Sequence, residues 1–267
     1  MTIISGSRIL ITGAASGFGR LMALQISKKG GKLILWDINK EGLDSVKKEI
    51  EEYNDDVITM NCNLRNREEI NNCALKVLES GPVDILINNA GIVSGNSLLE
   101  LTPEQIEATF EINTLAHFWT VKSFLPAMLK QNKGHIVTIA SSAGLAGASK
   151  LVDYCSSKFA AVGFDEALRA ELRAMKSKVR TTVICPFVAN TGMFEGVRKR
   201  FFLLPVLKPE KVAYKTIRVI EKNRRRLLMP KFVYAALICK LLPVWLYDWI
   251  GDALGINNTM KGFIGRN

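Results

Sequence analysis

Along the chain, short runs of apolar residues alternate with stretches whose apolar positions recur every three or four residues. The first pattern has strand length and the second has helical period. Strands are predicted at 8–12 (RILIT), 32–36 (KLILW), 56–60 (DVITM), 83–88 (VDILIN), 134–140 (GHIVTIA), 178–185 (KVRTTVIC) and 226–229 (RLLM). Helices are predicted at 17–29, 40–53, 66–80, 103–131, 153–175 and 209–223. Strongly apolar strands separated by helices read as βαβ units, whose sheet is parallel and covered on both faces. Right-handed crossovers then give an α/β, doubly wound sheet of about seven strands. No repeat, low-complexity tract or linker interrupts the rhythm, so residues 1–230 read as one catalytic domain and 231–267 as an apolar extension of it. Two stretches break the pattern. Residues 187–208 have no clear period and carry Phe201, Phe202 and Pro205. Residues 232–250 are long and apolar but are interrupted by Lys240, Pro243 and Asp248.

Composition narrows the classes. A chain of 267 residues that is 48% hydrophobic buries a sizeable core and is not disordered. The five cysteines, Cys62, Cys73, Cys155, Cys185 and Cys239, are odd in number and lack CxxC spacing. That excludes a disulfide framework and a zinc site, so no metal is expected, and it fits a reducing compartment. Met1–Gly6 is polar within a few residues and runs straight into a strand, so no signal peptide is expected. The net charge of +11 admits nucleic acid, an anionic membrane surface or an acidic ligand as partner. The charge sits as Arg224-Arg225-Arg226 just before 232–250 and as Arg198-Lys199-Arg200 within 187–208. Basic clusters beside apolar segments favour a membrane surface, and no nucleic-acid recognition motif is present.

Two clusters carry chemistry. After the first strand comes Thr12-Gly13-Ala14-Ala15-Ser16-Gly17-Phe18-Gly19, opening a helix. Glycines there let the backbone turn tightly and approach a pyrophosphate, while the helix N-terminus supplies free N–H groups. Placed between strand and helix at the head of a βαβ chain, the loop points to a Rossmann-type dinucleotide site. Asp37 ends the second strand, where a carboxylate accepts ribose hydroxyls and repels a 2′-phosphate. Positions 14–16 carry no Arg or Lys, so NAD is expected over NADP. The second cluster is Tyr154-Cys155-Ser156-Ser157-Lys158, where Tyr and Lys at i and i+4 share a helical face. A cation beside a phenol lowers its pKa from about 10 and makes it a usable acid or base. By itself Tyr-x-x-x-Lys is common and is usually a plain amphipathic face.

Taken together, Thr12-Gly13-x-x-x-Gly17-x-Gly19, Asn88-Asn89-Ala90-Gly91, Asn113, Ser141, Tyr154-x-x-x-Lys158 and Pro186 with Thr191 resemble the short-chain dehydrogenase/reductase family. The resemblance implies Tyr154 as general acid/base and Lys158 as ligand of the nicotinamide ribose. It implies Ser141 as holder of the substrate oxygen and Asn113 as keeper of a relay water. The cofactor residues it implies are Thr12, Gly13, Ser16, Gly17, Phe18, Gly19, Asp37, Asn63, Leu64, Asn89, Ala90, Gly91, Tyr154, Lys158, Pro186, Ala189 and Thr191. A substrate pocket is expected from Ile92, Val93, Leu145, Phe187, Met193 and Phe194. Two positions depart from the family. Asn63 stands where an Asp usually bonds the adenine amino group, and its amide oxygen can still accept. Phe187 replaces the usual glycine after Pro186, which points to an apolar substrate.

Trp36-Asp37-Ile38-Asn39-Lys40-Glu41-Gly42, Cys185-Pro186-Phe187, Asn190-Thr191-Gly192-Met193-Phe194-Glu195-Gly196, Leu203-Leu204-Pro205 and Met229-Pro230 resemble a narrower branch. It is the epidermal retinol dehydrogenase branch, near the lipid-droplet 17β-hydroxysteroid dehydrogenases. The branch implies oxidation of a lipophilic alcohol such as all-trans-retinol with NAD, at the endoplasmic reticulum or lipid droplets. It usually has an N-terminal apolar anchor, which Met1–Gly6 does not supply. The family implies a homodimer paired through helices 103–131 and 153–175. Segment 232–250 is a poor transmembrane helix, but Trp245, Tyr247 and Trp249 suit an interface. The alternative is a buried helix closing the pocket or a dimer contact. Two rival functions share these residues: a hydroxysteroid dehydrogenase, and a membrane scaffold that binds NAD with little turnover.

Overall fold

The computed structural model describes residues 1–196, 206–256, 260 and 263. Seven parallel strands, β1 (Arg8–Thr12), β2 (Lys32–Asp37), β3 (Val57–Asn61), β4 (Ile85–Asn88), β5 (His135–Ile139), β6 (Arg180–Pro186) and β7 (Arg226–Met229), form one sheet ordered β3-β2-β1-β4-β5-β6-β7. The strands alternate with α1 (Gly17–Ser27), α2 (Lys40–Glu51), α3 (Arg67–Glu79), α4 (Pro103–Phe110), α5 (Ala116–Gln131), α6 (Val152–Ala174) and α7 (Pro209–Glu221). This is the doubly wound α/β arrangement read from the sequence, with element ends within a residue or two of those expected.

The period of two along each strand sorts the core into two layers. Ile9, Ile11, Leu33, Leu35, Ile85 and Ile87 face one way, against Met22 and Ile26 of α1, Val46 and Ile50 of α2, and Ile217 and Ile220 of α7. Leu10, Ile34, Trp36, Leu86 and Ile136 face the other way, against Ile70 and Val77 of α3, Phe124 and Met128 of α5, and Leu168 and Leu172 of α6. Both faces being covered explains why the strands read as unbroken apolar runs. The chain leaves β1 toward β2 on one side and β4 on the other. At this switch point the helices that follow β1 and β4 pack on opposite faces of the sheet, and a crevice opens at the strands' carboxyl ends, the usual ligand position in such sheets.

Two sequence expectations need correction. The helix expected at 103–131 is three pieces. Thr102 caps α4 in a reciprocal capping box with Gln105, and a π-helical segment, Glu111–Leu115, precedes α5. The wider π turn re-aims Asn113, and periodicity could not reveal one inserted residue. Segment 232–250 is likewise two helices, α8 (Val233–Cys239) and α9 (Val244–Ala253), with Pro243 at the N-cap of α9. Proline restrains the residue before it from helical geometry, so the apolar run is broken there. Among the described residues no helix is long and apolar enough to cross a membrane. Val233 packs with Ala140, Val162, Cys185 and Leu228, so the start of the tail belongs to a third, smaller buried cluster beside β6 and β7. Arg198-Lys199-Arg200, Phe201, Phe202 and Leu203-Leu204-Pro205 lie outside the described residues.

Candidate active site

The loop after β1 is bound to the loop after β4. Thr12 Oγ1 accepts from the backbone N–H of Asn89 (3.0 Å) and of Ala90 (3.1 Å), and Asn89 Nδ2 donates to the carbonyls of Thr12 (2.9 Å) and Gly13 (3.1 Å). The approach is too close for side chains. A Cβ on Gly13 would lie 2.8 Å from Ala90 Cα, and one on Gly19 would lie 2.0 Å from the Gly13 carbonyl oxygen. Thr12 and Gly19 are therefore structural supports and do not line the cavity. Gly13, Ser16, Gly17 and Phe18 do line it. Ser16 is the N-cap of α1 without a side-chain cap bond, so the first N–H groups of α1 are left for another acceptor. Asp37 borders the same space; its Oδ2 accepts from Ala15 N (2.9 Å) and its Oδ1 from Asn39 N (3.0 Å). Each oxygen keeps a lone pair for a further donor. Asn63 and Leu64 complete this end, with Asn63 Oδ1 accepting from Arg65 N at 3.0 Å. The backbone cradle, the free helix terminus and the carboxylate together suit a dinucleotide carrying a pyrophosphate and an unphosphorylated ribose.

Ser141, Tyr154 and Lys158 line the same cavity, together with Ala90, Gly91, Ile92, Pro186, Ala189 and Thr191. The cavity measures about 620 Å³. Ser141 follows β5, and its Oγ accepts from Ala143 N (3.1 Å) and hydrogen-bonds the Tyr154 hydroxyl. Lys158 Nζ donates to the Ile139 carbonyl (3.1 Å) and lies 5.8 Å from the Tyr154 ring centroid. Burial pushes the Lys158 ammonium down to about 8. Burial also pushes the Tyr154 phenol up to about 12, with the Ser141 bond working in the opposite direction. Against the expected lowering, desolvation is the dominant influence on the phenol in this structure. A phenol in this state is a proton donor at neutral pH, placed to protonate an oxygen held by Ser141.

Asn113 is fully buried and sits behind the wall. Its Oδ1 accepts from Ile92 N (2.8 Å), and its Nδ2 donates to the Ile92 carbonyl (2.9 Å) and to Ser157 Oγ (3.0 Å). A Cβ on Gly91 would lie 3.1 Å from Asn113 Oδ1 and 3.2 Å from Lys158 Nζ, so a glycine alone stands between Asn113 and the cavity that Lys158 lines. On the substrate side, Phe187, Met193 and Phe194 line the wall, and Phe194 meets the Tyr154 ring edge-on at 5.8 Å. Val93 packs behind, against the cluster of Leu151, Tyr154, Cys155 and Met260. Leu145 is not a wall residue. After the 3₁₀ turn Ser142–Gly144 it points into the cluster of Ala140, Ala161 and Val162, while Ala143, Ala146 and Ala148 face the cavity. Sequence reasoning missed Phe232, Val233, Ile256 and Met260 as lining residues. Their signal was the reading of the apolar tail as a helix that closes the pocket.

Residues 7–200 match the family described as short chain dehydrogenase. The chain belongs to that family. Among the relatives of this dehydrogenase, epidermal retinol dehydrogenase 2 of Mus musculus is 44% identical over 98% of the chain and 87% of its own length. Estradiol 17-beta-dehydrogenase 11 of Macaca fascicularis is 43% identical over 90% of the chain and 80% of its own length. The crystal structure of a short chain dehydrogenase/reductase from Burkholderia phymatum in complex with NAD matches with a TM-score of 0.82 at 28% identity, covering 90% of this chain and 95% of that one. The family match ends at residue 200, whereas the similarity to epidermal retinol dehydrogenase 2 covers 98% of the chain and so extends into the tail that lines this dehydrogenase's cavity.

Proposed function

We propose that this dehydrogenase transfers hydride between NAD and a lipophilic alcohol of the retinol or steroid class, with Asn113, Ser141, Tyr154 and Lys158 as its catalytic set. The observation that carries the reading is the single cavity that runs from Asp37 and the glycine loop to Tyr154 and ends on Phe187, Met193, Phe194 and Met260. One end is built for a charged dinucleotide and the other for an apolar body bearing one oxygen. NAD supplies the hydride acceptor; Asp37 selects it over NADP by repelling a 2′-phosphate. The relatives named for retinol and for estradiol favour the two substrate classes about equally. The test is NADH formation by the purified chain with all-trans-retinol and with estradiol. Turnover of neither, with NAD bound, would favour the rival reading of an NAD-binding scaffold.

The reading extends to where the enzyme works. Segment 232–250 acts with the catalytic domain as a membrane- or lipid-droplet-facing entrance. Nothing on α9 is buried, and Leu241, Val244, Trp245 and Trp249 are exposed, with the exposed Lys231 and Lys240 on the same stretch of chain. Aromatic and apolar side chains next to basic ones suit an anionic lipid surface. Exposed Phe118 of α5 and Phe159 of α6 support pairing of two copies through those helices. Replacing Leu241, Trp245 and Trp249 by Ser should release the protein from anionic liposomes and leave turnover of a short soluble alcohol unchanged. Equal pelleting would make α9 a packing element. Light scattering in mild detergent showing monomer would remove the dimer.

A further inference from the structure

The first turn of α6 carries Tyr154, yet its N-cap, Leu151, has no side-chain oxygen to satisfy the free N–H groups. Next to the tyrosine stands Asp153, only 3% exposed. Neighbours on a helix point about 100° apart, so this carboxylate faces away from the cavity and is absent from its wall. It belongs to no ion pair among the described residues. Its Oδ2 accepts from Thr109 Oγ1 at 2.9 Å and from Ser94 Oγ, while Oδ1 is buried with no partner. Thr109 Oγ1 shares its single proton with the Gln105 carbonyl at 2.8 Å. A buried carboxylate without a counter-charge is costly, and the only compensation here is two hydroxyls and the positive end of α6.

The two hydroxyls lie on the segments that carry the rest of the site. Ser94 follows Gly91 and Ile92, the backbone that brackets Asn113 through two hydrogen bonds. Thr109 lies in the last turn of α4, one helical turn before Asn113 and just ahead of the π segment. That segment is joined to α6 a second time, through Asn113 Nδ2 to Ser157 Oγ (3.0 Å) and Ser157 Oγ to the Tyr154 carbonyl (2.8 Å). The turn bearing Tyr154 is therefore held from two sides, by Ser157 below and by Asp153 above.

We infer that Asp153 is a positioning residue: it binds the cavity-wall loop, the Asn113 segment and the Tyr154 turn into one rigid unit, setting the phenol at the correct distance from Ser141. The inference rests on the dehydrogenase reading but not on which alcohol is the substrate. A displacement of about 1 Å of a reacting group can cost about 10²-fold in rate.

The test compares Asp153→Leu, Asp153→Asn and Ser94→Ala with the unmodified chain, using whichever alcohol or carbonyl the latter turns over best. Asp153→Leu keeps the volume but loses both acceptors. It should lower kcat by about 10–10²-fold, leaving KM and the NAD dissociation constant from fluorescence titration within about twofold. Asp153→Asn keeps an oxygen toward both hydroxyls and should restore kcat to within about threefold of the original. Ser94→Ala removes one tether and should show the same split at smaller amplitude, which keeps the inference testable if the leucine variant does not fold. A leucine variant with unchanged kcat overturns it. So does a fall of kcat and NAD affinity in the same proportion, or an asparagine variant as poor as the leucine one. Failure of retinol and estradiol alone would bear on the substrate class and leave this comparison intact.

Discussion

The two ends of the cavity are built in different ways. The dinucleotide end is two loops drawn tightly together: Thr12 and Gly13 accept four hydrogen bonds from Asn89 and Ala90 across the switch point, and glycines permit contacts that no side chain could fit. The alcohol end is side chain against side chain, drawn from Phe187 and Phe194 after β6, Phe232 and Val233 at α8, and Met260 near the C-terminus. The first end tolerates almost no substitution and should bind its ligand the same way whatever the rest does. The second can be re-cut by changing volumes, which lets relatives named for retinol and for estradiol share one scaffold. Between the two lies the buried set of Ser141, Tyr154 and Lys158, which must serve both.

The sharpest break of this comparison is Tyr154→Phe. It removes the transferable proton and leaves both ends in place, so turnover should fall by about 10²–10⁴-fold with NAD affinity little changed. Stopped-flow turnover beside a cofactor titration checks it; a rate near the original would remove Tyr154 from the chemistry. The next effect is pH. Lys158 carries its charge below about 8 and loses it as pH rises through that value, while Tyr154 holds its proton to about 12. Carbonyl reduction needs both groups protonated. Its kcat/KM should be level below about pH 8 and fall about tenfold per unit above it. A profile flat to pH 10 would contradict the buried ammonium.

Two weaker effects separate the ends. Asp37→Ala should cut the preference for NAD over NADP by about tenfold, because one carboxylate supplies the repulsion, and should leave the KM for the alcohol unchanged. Competing-cofactor kinetics decides it, and an unaltered ratio would assign selectivity elsewhere. Met260→Ala should do the reverse. Met260 shares a buried cluster with Leu151, Tyr154 and Cys155 and lines the alcohol end. Its loss removes apolar contact worth about 1 kcal/mol, so KM for a retinoid or steroid should rise about threefold to tenfold with NAD affinity intact. A matching rise for a short soluble alcohol would mean that the residue only holds the fold.

The sequence by itself determined the strands, the order of layers and the dinucleotide end. Gly13, Gly17 and Asp37 act within one or two adjacent βαβ units, so strand period, turn chemistry and spacing carry their positions. Tyr154 and Lys158 were legible too, since four residues on one helix share a face. Tertiary structure decided the rest. The π segment that turns Asn113 behind Gly91 depends on how α4 and α5 meet α6, which no local pattern records. Leu145 and Ala146 differ by one position, yet one is core and the other wall, because the 3₁₀ turn before them sets the angle. The raised phenol pKa comes from packing that excludes water around Tyr154, and a neighbouring lysine in the sequence does not disclose it. Met260 reaches Tyr154 from more than a hundred residues away. An apolar residue in a tail is equally suited to core, pocket or lipid, and only the packing of distant segments chooses among them.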